Sequence, residues 1–202
     1  EEDHKEMERK KPKQKEFNAM RKVGDTIAPQ VSPFALDKRK NFKNCDAWYF
    51  TQEGCADATE HQHSVAEETF GLAKTEEGVA LHPLASSRPL KNVVKDKDLT
   101  WRQFSIAKNT MLLDMQKYRW SDASLKALAT FWLNLELHPQ HIKPHGEKIL
   151  LTYQAKVRLE WDDTIKMGDG GFDISEINES LMQAIADNVW DEIRHEGICQ
   201  VS

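Results

Sequence analysis

Cysteine, glycine and proline are all scarce in this chain. The 202 residues hold three cysteines, nine glycines and seven prolines. An odd, small number of thiols argues against a secreted disulfide scaffold. So little glycine and proline excludes a low-complexity or collagen-like chain. Long apolar runs are missing too. No stretch approaches the roughly 20 apolar residues that a membrane-crossing helix needs, and no membrane partner is expected. G-x-S-x-G, H-E-x-x-H and P-loop patterns do not occur, and Gly168–Gly171 has no Lys-Ser/Thr after it. Aromatic residues are 8% of the chain against 30% charged residues, which leaves little for a stacking surface. A chain of this length can still bury well over half of its unfolded surface, so it needs neither disulfides nor a cofactor to fold. The composition points to an intracellular globular protein, cytoplasmic or nuclear.

Charge is unevenly placed. Residues 1–43 carry twelve Lys/Arg against eight Asp/Glu, whereas residues 44–202 carry sixteen against twenty-five. A basic arm on an acidic body suggests that the arm, not the body, meets a polyanionic partner. Arg9, Lys10, Lys11, Lys13, Lys15, Lys38, Arg39, Lys40 and Lys43 are the candidate RNA or DNA contacts. Contacts of this type are salt-sensitive and independent of sequence. A solvated tail or an import signal is the plainer alternative. Phe17, Phe34 and Phe42 are too sparse for a base-stacking platform.

The patterning divides the chain into three stretches. Residues 1–44 read as a largely extended or flexible arm. Residues 45–98 read as an irregular, aromatic-containing subregion packed on the body. There, Ala47 to Thr51 has strand propensity, residues 57–70 suit a short helix, Val79-Ala80-Leu81 suits a short strand, and 95–98 suits a loop. Residues 99–197 carry a far sharper signal. Thr100 and Gln103 have capping-box spacing ahead of an apolar face running from Trp101 to Tyr118. Ser121 or Asp122 can cap a second helix bearing Leu125, Leu128, Phe131, Trp132 and Leu135, which His138-Pro139 ends. A third helix follows Pro144 and stops at Gly168. A fourth opens at Asp173, buries Ile177, Leu181, Ile185, Val189 and Ile193, and ends at Gly197. The expected fold is therefore mainly α: a compact domain of about four long helices in the C-terminal half. The N-terminal half is expected to be irregular, with at most short strands. Met182 and Trp190 lie off the fourth helix's apolar stripe and are the candidate self-association residues.

Several clusters invite a chemical reading. Cys45, Cys55, His61 and His63 form a zinc-suitable ligand set. Nine residues separate the two thiols, however, which is poor spacing for a knuckle. Ordinary thiols beside loop histidines is the plainer reading, and no metal or other cofactor is expected. His138, His141 and His145 surround two prolines without a carboxylate among them. Glu160, Asp162 and Asp163 read as a solvated acidic face rather than a divalent-metal site. No catalytic residue is assigned.

Ordered blocks elsewhere carry a resemblance. Trp48-Tyr49-Phe50-Thr51-Gln52-Glu53-Gly54-Cys55 opens the series, followed by Thr69-Phe70-Gly71-Leu72, Lys91-Asn92-Val93-Val94 and Asp98-Leu99-Thr100-Trp101-Arg102-Gln103. Phe131 to Pro139, Gly146-Glu147-Lys148, Leu150 to Arg158, Gly171-Phe172-Asp173-Ile174 and Ile177-Asn178-Glu179 complete it. Together they span about residues 45–196 and resemble gag-like proteins of fungal (basidiomycete) retrotransposons of the DIRS-like, tyrosine-recombinase type. The resemblance implies a non-enzymatic structural module that self-associates into homo-oligomers through helices. An adaptor that binds nucleic acid through its basic arm is the alternative. The family's Arg-Glu-Trp-His-Asp is Leu159-Glu160-Trp161-Asp162-Asp163 here, so any role of that His is lost. The family's Cys/His-rich knuckles have no counterpart in the residues at hand, and no knuckle role transfers to them.

Overall fold

The computed structural model describes residues 20, 22, 30–64, 70–75, 78–83, 89–168 and 170–199, with residues 61–64, 70–75, 78–83 and 198 as backbone only. The described residues form six α-helices: α1 (Pro33–Lys40), α2 (Gln52–Ser64), α3 (Trp101–Lys117), α4 (Asp122–Glu136), α5 (Gly146–Lys166) and α6 (Glu179–Cys199). Strands β1 (Phe70–Thr75) and β2 (Gly78–Pro83) form one antiparallel hairpin, with Phe70 opposite Pro83 and Thr75 opposite Gly78. The protein is thus mainly helical, with its longer helices in the C-terminal half.

Side-chain caps explain where the long helices start. The Thr100 hydroxyl accepts from the Gln103 backbone N–H at 3.2 Å, and the Gln103 amide oxygen accepts from the Thr100 N–H at 2.9 Å. This box satisfies two of the N–H groups that a helix start leaves without partners. Ser121 caps α4 with its hydroxyl alone, accepting from Ser124 N–H at 3.1 Å. Between α4 and α5 the His138 Nδ1 accepts from Gln140 N–H at 3.1 Å, opening a short 3₁₀ turn over Pro139–Ile142. Gly146 then lies so close to the Gln140 carbonyl that a Cβ would collide with it.

The helices share one core. Phe104 and Met111 of α3, Phe131 and Leu135 of α4, and Ile149 and Tyr153 of α5 are all buried. Met182, Ile185 and Val189 add the stripe of α6. The same cluster continues without a break into Ala35 of α1, into Trp48, Tyr49 and Phe50, and into Leu90 and Leu99. The three stretches read from patterning therefore meet in a single hydrophobic core.

Several expectations are corrected. Residues 33–40 are not extended: Ser32 caps α1 by accepting from Ala35 N–H, and Pro33 takes the first helical position, where its missing N–H costs nothing. Trp48-Tyr49-Phe50 is no strand but a buried 3₁₀ turn over Ala47–Phe50, with Thr51 and Gly54 starting α2 directly behind it. Residues 96–98 form a further 3₁₀ turn that buries Asp96. The fourth long helix starts later than expected, because Asp173 accepts from both Ser175 N–H and its hydroxyl, a local turn that competes with helix. Asn178 is the effective cap, accepting from Leu181 N–H at 2.9 Å. Gly197 lies inside α6 instead of ending it. Leu181 is 40% exposed and Met182 is 2% exposed, so in the first turn the buried position falls on Met182 instead of Leu181, while Ile185 and Val189 are buried as expected. Trp101, at the start of the apolar face of α3, is partly buried and packs against the core as expected.

Candidate assembly surface and lysine-lined groove

A buried ionic network joins the N-terminal segment to α5. The Arg158 guanidinium pairs with Asp96 and donates to the Cys45 carbonyl at 3.1 Å. Asp96 also accepts from Ala47 N–H at 2.6 Å. Arg39 reaches the same Cys45 carbonyl at 3.5 Å and lies over the rings of Phe50 and Trp120, at 5.2 and 5.8 Å. Burial, and then the charge of Arg158, lower its pKa to about 10. Arg39 is therefore structural, not a phosphate contact: at 3% exposure it has no path to an external polyanion. Asp162 is buried as well, accepting from Asn44 N–H at 3.2 Å and pairing with Lys166. This corrects its reading as part of a solvated acidic face.

The thiols fit this network poorly as metal ligands. Burial pushes both Cys45 and Cys55 up to about 11, away from the thiolate that zinc requires. The Cys45 carbonyl already faces two guanidinium groups, a setting hostile to a dication. The side chains of His61 and His63 lie outside the described residues. Among the described residues no three His, Cys, Asp or Glu side chains are grouped for an ion. The three histidines of the α4–α5 connection diverge. His138 meets Glu179 at 3.0 Å, His141 lies edge-on to Trp101 with ring centroids 4.2 Å apart, and His145 lies edge-on to Trp190 at 4.8 Å.

Above the network runs an open groove of about 810 Å³ between α1, the segments around residues 43–49 and 89–97, and one stripe of α5. Phe34, Leu90, Val93 and Leu159 supply its apolar lining. Lys38, Lys43, Lys95, Lys97 and Lys156 line it too, and among the described residues no ion pair engages any of them. Two of the expected nucleic-acid contacts, Lys38 and Lys43, are thus brought together with lysines of the body. Lys40 is exposed and lies 5.7 Å from the Tyr118 ring instead. Arg9, Lys10, Lys11, Lys13 and Lys15 lie outside the described residues. Sequence reasoning missed the groove because Lys95, Lys97 and Lys156 belong to segments that only the tertiary fold makes neighbours.

A second surface is apolar. Leu133, Leu137 and Ile142 are 51, 74 and 91% exposed along the last turns of α4 and the turn after it. The His138–Glu179 contact and a 3.0 Å bond from Asn134 to the Ser175 carbonyl hold the start of α6 beside them. That adds the exposed Leu181. Of the two expected self-association residues, Met182 is withdrawn: it is buried in the chain's own core. Trp190 stays 37% exposed at the surface, covering His145.

Compared with known proteins, the chain matches no family model, no curated sequence and no solved structure. The gag-like resemblance rests on the sequence blocks alone.

Proposed function

We propose that the protein is a non-enzymatic, gag-like structural module of a fungal retroelement, self-associating through its helical surface. One observation carries the reading: large apolar side chains, Leu133, Leu137, Ile142 and Leu181, stand exposed on neighbouring turns of a well-packed domain. Large apolar side chains left exposed in one region of a surface mark interaction sites on soluble proteins. The ordered sequence blocks supply the retroelement assignment. Intracellular assembly fits a molecule in which no helix among the described residues is long and apolar enough to cross a membrane.

Sedimentation velocity over a hundredfold concentration range should show dimers or larger species. Leu137→Glu with Ile142→Glu should weaken association at least tenfold, about 1.4 kcal/mol, without loss of helicity by circular dichroism. A strictly monomeric wild type across that range would reject the reading.

A further inference from the structure

We infer that the lysine-lined groove is the acceptor half of a head-to-tail contact, and that it takes the outer face of α6 from a second copy of this chain. The inference rests on the assembly reading and names the surfaces involved. The charges of the two surfaces are opposite. Of the carboxylates in the groove, Asp96 and Asp162 are already taken by Arg158 and Lys166. That leaves five lysines outside any ion pair among the described residues, one of them (Lys38) over the Phe34 ring, against Asp46 and Asp163. Residues 179–199 hold five Asp/Glu to one Arg, and Asp187, Asp191 and Glu192 are exposed. Their present partners, Gln183 for Asp187 and Arg194 for Asp191, are exposed side chains on the same helix. Such surface pairs contribute little and exchange readily.

Shape and polarity also favour a helix over a phosphate chain. The groove is half apolar, with Leu159 50% exposed beside Lys156, and α6 presents Leu181 and Ala184 next to its acids. A polyphosphate would gain nothing from that apolar lining, and its repeating charges would have to pass Asp46 and Asp163.

The two surfaces cannot meet within one chain. On α5, Thr152, Ala155, Lys156, Leu159 and Lys166 recur at helical spacing and form the groove stripe. Tyr153 and Trp161 point off that stripe toward the α6 side, where Tyr153 accepts from Asn178 N–H at 2.8 Å and Trp161 donates to the Phe172 carbonyl at 3.1 Å. Groove and α6 therefore occupy different sides of α5. A contact between unlike surfaces leaves a free groove at one end and a free helix at the other, so it propagates unless a ring closes.

That asymmetry supplies the test. A groove variant (Lys43→Glu, Lys156→Glu) and a helix variant (Asp187→Lys, Glu192→Lys) are compared with wild type by sedimentation, with circular dichroism to verify folding. The milder pair Lys43→Gln, Lys156→Gln serves should the reversal perturb the fold. Each variant alone should associate at least tenfold more weakly than wild type. For the mixing arm, the Lys43→Gln, Lys156→Gln variant is paired with the helix variant, both carrying Leu137→Glu and Ile142→Glu to silence the apolar surface. An equimolar mixture of these two should form a one-to-one dimer and nothing larger, because only the intact helix of one and the intact groove of the other remain complementary. Two variants that assemble like wild type would overturn the groove contact while leaving the apolar-surface reading to its own variants. Two weakened variants that form no dimer on mixing would also overturn it. A groove variant that keeps its self-association but loses affinity for a fluorescent oligouridylate would reassign the groove to nucleic acid. A wild type that stays monomeric would overturn the groove contact together with the assembly reading.

Discussion

Asp96→Ala should cost about 3–5 kcal/mol, because it leaves the Arg158 guanidinium buried with no counter-charge. Both side chains are almost wholly enclosed, at 6% and 5% exposure, so solvent does little to screen the loss. The same carboxylate holds the Ala47 N–H, so the substitution also frees a backbone donor at the entrance of the 3₁₀ turn. Urea unfolding followed by tryptophan fluorescence would read the change. Asp96→Asn keeps an acceptor for Ala47 and should fall between the two. A loss under 1 kcal/mol for the alanine variant would mean that the pair does not tie the N-terminal segment to α5.

Leu135→Asp should abolish the fold at 25 °C, a loss beyond about 5 kcal/mol, since a carboxylate there has to be buried unpaired or the core has to open. Leu135 is fully buried on α4. It is a sharper choice than Leu128, which shares a small cavity with Arg39 and Arg158 and could lend a new carboxylate to either. Leu135→Ala should remain folded and lose about 2–5 kcal/mol. Far-UV circular dichroism of the aspartate variant showing native helicity would place Leu135 outside the cooperative core.

The helices of the C-terminal half were legible because two independent signals agree there. Thr100 and Ser121 mark helix starts by hydroxyl chemistry, and the apolar residues behind them recur at helical spacing. Where the signals compete, reading fails by small steps. At α6, Asp173 and Ser175 imitate a cap, and adjacent Leu181 and Met182 fit almost the same stripe, so the buried position of the first turn was misplaced by one residue while Ile185 and Val189 were not. The segment around Trp48 fails more deeply. A turn buried on every side has no polar face, and without alternation a run of three aromatics resembles a strand. Arg39 shows the same limit for charge. Nothing local separates it from Lys38 and Lys40, and only the rings of Phe50 and Trp120, together with the Cys45 carbonyl, take it into the interior. The groove is wholly tertiary, and no window of sequence contains it.

The attachment of α6 has a kinetic consequence. It packs principally on α5, and its polar ties, Tyr153 to Asn178, Asn134 to Ser175 and His138 to Glu179, all gather at or before its first turn. The chain enters it past Gly168 and Gly170, both at positive φ, a conformation that favours glycine. Amide protons of α3, α4 and α5 should then exchange with deuterium only when the whole molecule opens. Those along the later turns of α6 should exchange through a cheaper, separate opening that leaves the rest folded. The element offered to a neighbouring copy is thus also the first to loosen, and capture by that neighbour's groove should slow its exchange selectively.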